Sequence, residues 1–123
     1  MSQTFFSSNV NVPPCHLRYR LRYRRRLRAL ARYDILDTPP SETFDRISDL
    51  AAGLFDAPIG LITFVEPGRQ WHKACVGFDA PELDLDASFC VHTLGDAQRL
   101  VVEDATDDER FVDNPLVTGD RHV

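Results

Sequence analysis

The chain has 123 residues, which is enough for one small domain and too few for two. Hydrophobic residues make up 43% of it, so disorder throughout the chain is excluded. The net charge of −5 is unevenly divided, because residues 1–32 hold eight arginines and no acid while residues 33–123 hold all nineteen acids. The acidic part would repel phosphates, and we therefore expect no nucleic acid on the main body.

Residues 1–23 are predicted to form a flexible leader rich in arginine, because they show no period that would face a core. From Leu17 onward this leader alternates apolar and basic residues, as a strand does. From Arg24 the spacing turns helical. We predict a helix from Arg24 to Tyr33, which opens a domain that covers residues 24–123.

An amphipathic helix is predicted over residues 42–55, because apolar residues recur there at steps of three and four. Pro58 follows and ends it. The apolar positions are Phe44, Ile47, Leu50, Ala51, Leu54 and Phe55. We expect this apolar face to pack against a sheet.

Two strands are predicted next, at residues 59–65 and 70–78. The first is a short run rich in β-branched and aromatic residues, and turn residues separate it from the second. The two strands should form a hairpin. His72 and Lys73, in the second strand, are expected to face solvent.

The rest of the chain is predicted to consist of short elements. They are an acidic loop at 79–86, a helix at 87–94, a strand at 100–103, a helical turn at 107–111 and a loop that begins at Asn114. The succession of helix, hairpin, short helix and strand predicts an α+β fold with an antiparallel sheet.

The chain contains three cysteines, Cys15, Cys75 and Cys90. An odd number without a CxxC pair indicates neither a disulfide framework nor a zinc site. No apolar run approaches the roughly 20 residues that a membrane span needs. We therefore expect a cytoplasmic protein with no membrane span and no bound metal.

Four short sequence motifs occur together in a specific order. They are YDILDTPP at 33–40, RQW at 69–71, SFCVH at 88–92 and RFVDNPLV at 110–117. Through them, residues 27–123 resemble the N-terminal part of the GAF domains of prokaryotic sensor histidine kinases and diguanylate cyclases. The resemblance implies a partial GAF-type antiparallel sheet with flanking helices, and further C-terminal strands that would complete it beyond this chain.

The same resemblance implies a function. GAF domains of this kind act as sensory modules for a small ligand or a redox signal in two-component systems and related signal transduction. The implied partners are an unknown small ligand and an output domain or kinase of a signalling pathway, and a dimer is left open. The family binds varied ligands, so the cofactor remains unknown.

Five residues are candidates for the wall of a ligand pocket: Phe64, Arg69, Trp71, Cys90 and His92. Arg69 can contact an anion beside Trp71, although this tryptophan also suits a core position under the sheet. Cys90 and His92 stand two residues apart, which suits one face of a strand but not of a helix. A packed thiol beside a hydrogen-bonded imidazole therefore competes with a ligand-binding role.

No nucleophile and base stand at a recognisable spacing, so we predict no catalytic residues and expect that the chain is not an enzyme. One alternative is enzymatic, because some GAF-fold proteins reduce free methionine sulfoxide with thiols, and Cys75 and Cys90 are the candidates here. Another alternative is binding to an anionic surface, either nucleic acid or membrane, through the arginine-rich N-terminus.

Overall fold

A computed structural model describes residues 17–94 and 99–119, with the side chains of residues 17–20 outside the description. The predicted leader residues 1–16 also lie outside it. The elements are helix α1 (Leu17–Tyr33), helix α2 (Glu42–Leu54), strands β1 (Gly60–Glu66), β2 (Arg69–Val76) and β3 (Glu82–Asp84), two short 3-10 helices (Leu85–Ala87 and Cys90–Thr93) and helix α3 (Pro115–Thr118). The predicted α+β class with a small antiparallel sheet is confirmed.

The described residues form two compact units, one that ends at Leu83 and one that begins at Asp84. In the part of the chain covered by the structure, no helix is both long and apolar enough to cross a membrane.

Helix α1 begins at Leu17, earlier than the predicted start at Arg24. The strand-like alternation was misleading, because leucine and arginine both favour helix. Residues 23, 26, 27 and 30 are the half-buried or buried positions of this helix. They recur at steps of three, one and three, which places them on one helical face. Residues 17–23 of the predicted leader thus belong to helix α1.

Strand β2 is the central strand of the sheet, with the order β1-β2-β3. The predicted hairpin is confirmed: β1 pairs antiparallel with β2, and Phe64 lies opposite Trp71. The predicted acidic loop at 79–86 is wrong in part, because it contains β3. Residues 70–74 of β2 are all buried. The expectation that His72 and Lys73 face solvent is therefore wrong, since a central strand covered on both faces hides successive side chains.

Helix α2 has the predicted extent but buries a different face. Its buried residues are Ser48 and Ala52. A Cβ atom added at Gly60 of β1 would lie 2.7 Å from the Ser48 carbonyl oxygen and 3.1 Å from the Ala52 Cβ. The helix therefore approaches the strand so closely that only small residues fit between them. The apolar positions expected to face the sheet are largely exposed: Ile47 by 51%, Leu50 by 62%, Leu54 by 74% and Phe55 by 83%.

The unit that begins at Asp84 is built around Phe111, which is fully buried. The predicted helix at 87–94 is replaced by the two 3-10 helices. The predicted strand at 100–103 is wrong, because no described strand pairs with it. The predicted helical turn is present, with the Phe111 amide donating to the Asp108 carbonyl at 2.9 Å. The predicted loop from Asn114 is also wrong, because the Asn114 side chain accepts from the Leu116 amide at 2.8 Å and caps α3.

Candidate functional site

The five candidate residues lie in two places. Phe64, Arg69 and Trp71 belong to the β1–β2 hairpin, whereas Cys90 and His92 belong to the second 3-10 helix. The hairpin brings the first three together within one unit. Each place has its own geometry and its own chemistry.

Arg69 is surrounded by carboxylates of its own chain. Its guanidinium binds Asp37 at 2.7 Å, Glu82 at 2.7 Å and also Glu66. The hydrogen bond to Asp37, followed by those to Glu82 and Glu66, raises the pKa of Arg69, and the same contact lowers the pKa of Asp37. With three carboxylates at its guanidinium, Arg69 holds β3 and the linker between α1 and α2 (residues 34–41), and it is not open to an anionic ligand.

Trp71 is buried, and its ring lies 6.4 Å from that of Phe64, centroid to centroid, at an angle of 28°. This placement is that of a core pair across two strands. Next to it, the buried ammonium of Lys73 donates to the Thr38 hydroxyl at 2.7 Å and to the Pro39 carbonyl at 2.6 Å. Lys73 and Arg69 together fasten the linker between α1 and α2 to β2.

Lys73 was missed by sequence reasoning as a functional candidate. Its ammonium also lies 5.4 Å from the ring centre of Phe44 and 5.9 Å from that of Trp71. Aromatic faces attract cations, and this attraction grows when water is excluded. The sequence feature that could have drawn attention to Lys73 is that it is the single lysine of the chain.

His72 is held in one neutral form. Its Nδ1 lies 2.7 Å from the Ala80 carbonyl, which can only accept, so Nδ1 carries the proton. Its Nε2 lies 3.0 Å from the Gln70 side-chain nitrogen, which donates to it. Burial lowers the pKa of His72, against the smaller opposing effects of the Ala80 carbonyl and Glu82.

A groove of about 620 Å³ lies in the second unit. Its lining residues are Phe89, Cys90, Thr93, Leu100, Val102, Glu103, Asp104 and Ala105. The volume falls within the range of small-molecule sites. The lining combines apolar side chains with two carboxylates, those of Glu103 and Asp104. The Thr93 hydroxyl donates to the Cys90 carbonyl at 2.7 Å and so holds the short helix that carries the thiol.

The side chains of Cys90 and His92 do not face the same site. A 3-10 helix has three residues per turn, so positions two apart point in different directions. Cys90 lines the groove, whereas the His92 ring packs edge-on against Phe111, with centroids 4.9 Å apart. His92 is exposed overall, but partial burial of its ring and, secondarily, the charge of Arg110 lower its pKa. Among residues 17–94 and 99–119, no group of three or more His, Cys, Asp or Glu side chains is arranged to hold a metal.

Cys75 is the second thiol of the methionine sulfoxide alternative. Its residue is exposed, but partial burial of the thiol, and secondarily Asp45, raises its pKa. A raised pKa leaves less of the thiolate that would attack a substrate. The structure therefore gives Cys75 no activation of the kind that this alternative needs.

The comparisons with known proteins add one relative. A cyclic di-GMP phosphodiesterase of Pseudomonas aeruginosa is 35% identical over 89 residues, which is 72% of this chain and 15% of the relative. No protein-family model matches the chain. The chain thus spans a small part of the relative's length.

This similarity bears on two predictions. It supports a role in signal transduction, because the relative is named for a signalling nucleotide. The expectation that the chain is not an enzyme is corrected, because the protein that it is similar to is named as an enzyme. The name of the relative mentions neither a GAF domain nor a histidine kinase, so those two assignments stay predictions.

Proposed function

We propose that this chain is a regulatory segment of a cyclic di-GMP signalling enzyme. The observation that carries the proposal is the identity of 35% over 89 residues with the Pseudomonas phosphodiesterase. Because the chain spans 15% of that relative, hydrolysis of cyclic di-GMP is proposed for the longer protein to which such a segment belongs. A cyclic di-GMP phosphodiesterase therefore replaces the histidine kinase as the favoured output domain, because the relative is named as such an enzyme.

The finer part of the proposal is GAF-type sensing in the cytoplasm. Its support is the set of four motifs together with an α+β fold in which a helix covers a hairpin. The groove beside Cys90 is the proposed ligand site. Of the five candidate residues, we retain Cys90 in that site and assign Phe64, Arg69, Trp71 and His92 to packing and to fastening the linker.

The groove favours a small ligand with an apolar body. Phe89, Leu100 and Val102 offer apolar contact, and the Thr93 hydroxyl, which donates to the Cys90 carbonyl, offers its oxygen as an acceptor. Glu103 and Asp104 place negative charge on its wall and would repel an anionic ligand. A neutral or cationic small molecule is therefore the proposed class of ligand.

An exchange experiment tests the proposal. The matching segment of the Pseudomonas phosphodiesterase is replaced by this chain, and hydrolysis of cyclic di-GMP is measured for the parent, the exchange and a deletion of the segment. We expect the deletion to change the regulation of hydrolysis, and we expect the exchange to restore the regulation seen in the parent. If exchange and deletion hydrolyse the nucleotide at the same rate under all conditions, this chain carries no regulatory function for that enzyme.

A further inference from the structure

Helix α1 has an exposed face opposite the one that it buries. Residues 23, 26, 27 and 30 are its half-buried or buried positions and form the covered face. Half a turn away from them, at steps of four, three and four residues, lie four exposed side chains: Leu21, Arg25, Arg28 and Arg32. We call these four residues the outer stripe. The outer stripe runs for about 16 Å along the helix.

The outer stripe is a strongly cationic surface. Helix α1 contains eight arginines and no acidic residue. Among the residues that the structure describes, no carboxylate forms an ion pair with Arg25, Arg28 or Arg32. Like charges four residues apart, as at Arg28 and Arg32, destabilise a helix. An array of anions along the outer stripe would remove this repulsion, so the stripe fits a polyanionic partner.

The apolar member of the outer stripe indicates which kind of polyanion fits. Leu21 is 47% exposed at one end of the stripe, and the stems of the arginines add apolar surface beside it. At a phospholipid surface, guanidinium groups reach the phosphates while apolar side chains enter the boundary of the acyl layer. The backbone of a nucleic acid offers phosphates without such a layer. The outer stripe therefore favours an anionic lipid surface over a nucleic acid.

We propose that α1 binds the surface of an anionic phospholipid bilayer through the outer stripe, lying along the surface and not across the membrane. The covered face stays in place, because Arg26 donates to the Val65 carbonyl and Leu30 is buried. Binding therefore requires no rearrangement of the first unit. All nineteen acidic residues follow α1 in the sequence, so the field of the surface attracts α1 and repels the rest of the chain. This inference stands independently of the proposed enzymatic context.

The first measurement is sedimentation of the full chain with lipid vesicles. Vesicles of phosphatidylcholine alone are compared with vesicles of phosphatidylcholine and phosphatidylglycerol in equal parts. We expect the chain to sediment only with the anionic vesicles, and to be released when salt is raised from about 0.1 M to about 1 M, since the Debye length falls from about 10 Å to about 3 Å. Absence of binding at low salt, or equal binding to both kinds of vesicle, overturns the proposal. So does tighter binding to single-stranded RNA than to the anionic vesicles at equal phosphate concentration.

Two double variants with the same change in net charge locate the contact. Arg25→Gln with Arg28→Gln removes two charges from the outer stripe and should weaken binding to the anionic vesicles by at least about tenfold. Arg46→Gln with Arg110→Gln removes two charges from exposed positions outside α1 and should bind as the unmodified chain does. Equal affinities of the two variants overturn the proposal. Circular dichroism checks that α1 stays folded, and if it does not, Arg32→Gln against Arg46→Gln repeats the comparison with one charge.

A further pair of variants tests the apolar contact at unchanged net charge. Leu21→Gln removes the apolar side chain of the outer stripe and should weaken binding to the anionic vesicles severalfold. The matched control is Leu50→Gln, at a position of α2 that is 62% exposed, and it should leave that binding unchanged. If both variants bind like the unmodified chain, the outer stripe is held by charge alone, and its assignment to a lipid surface is overturned.

Discussion

Arg69, at the start of β2, binds both carboxylate oxygens of Asp37, at 3.0 Å and 2.7 Å, across 32 residues of sequence. Asp37 holds a positive φ of 58°, which costs free energy for a residue other than glycine. The two-pronged contact keeps the linker between α1 and α2 in this conformation. The ion pair thereby ties the segment that joins α1 to α2 to the start of β2.

Replacing Arg69 with Gln should loosen the linker. We expect a lower melting temperature and faster hydrogen exchange at residues 34–41, with a smaller effect at high salt because two of the three partners, Asp37 and Glu82, are exposed. The matched control is Arg46→Gln, which removes an exposed pair with Glu42 within one helix. If both variants melt alike and exchange alike, the contact with Asp37 does not hold the linker.

Lys73 should contribute more than a surface cation. Lys73→Met keeps most of the stem but removes the donors to Thr38 and Pro39, and hydrogen bonds from charged groups contribute about 1.5–3 kcal/mol. We expect a loss of about 2 kcal/mol in urea denaturation. A second readout is amine labelling, because Lys73 is the single lysine side chain. Fast labelling in the folded protein would contradict its burial.

The close approach of α2 to β1 predicts opposite outcomes at two glycines. Gly60→Ala puts a Cβ 2.7 Å from the Ser48 carbonyl oxygen and should destabilise the fold by about 1–3 kcal/mol. Gly53 lies on α2, and a Cβ atom added there meets no atom within 4 Å, so Gly53→Ala should stabilise the helix by up to about 1 kcal/mol. Chemical denaturation of the two variants compares them directly. Equal stabilities would mean that the helix is not packed this closely.

Stability should fall as the solution is acidified through the range of histidine titration. The folded-state pKa of His72 is below its ordinary value of 6.5. The unfolded chain therefore binds a proton first, and the stability that the neutral imidazole contributes is lost as pH falls below about 6.5. His92, with a pKa shifted in the same direction, adds to this trend. Urea denaturation at a series of pH values should show a shallower decline for His72→Asn, and an unchanged slope would contradict the assignment.

The sequence predicts the existence of α2 but not the face that it buries. Its apolar period is clear, yet the fold buries Ser48 and Ala52, because the approach to Gly60 admits only small side chains. That approach depends on residues distant in sequence and leaves no local signal. The hairpin was predictable for the opposite reason, since a strand-turn-strand pattern is local.

The site was predictable in part. Cys90 was proposed as a pocket residue and lines the groove, but the partners of Arg69 lie up to 32 residues away and could not be read from spacing. The burial of Lys73 followed from the central place of β2, which required a third strand within a stretch that was predicted to be a loop. Contacts between residues distant in sequence therefore determine the partners of Arg69 and the burial of Lys73, which local sequence patterns did not predict.

The most direct test of the account uses two neighbouring valines in the exchanged Pseudomonas phosphodiesterase. Val102 lines the groove, whereas Val101 is 70% exposed beside it. Val102→Trp should fill the groove and change the rate of cyclic di-GMP hydrolysis severalfold, while Val101→Trp should leave that rate as in the exchange. Equal hydrolysis rates for both variants and the exchange would contradict the claim that this groove regulates a cyclic di-GMP enzyme.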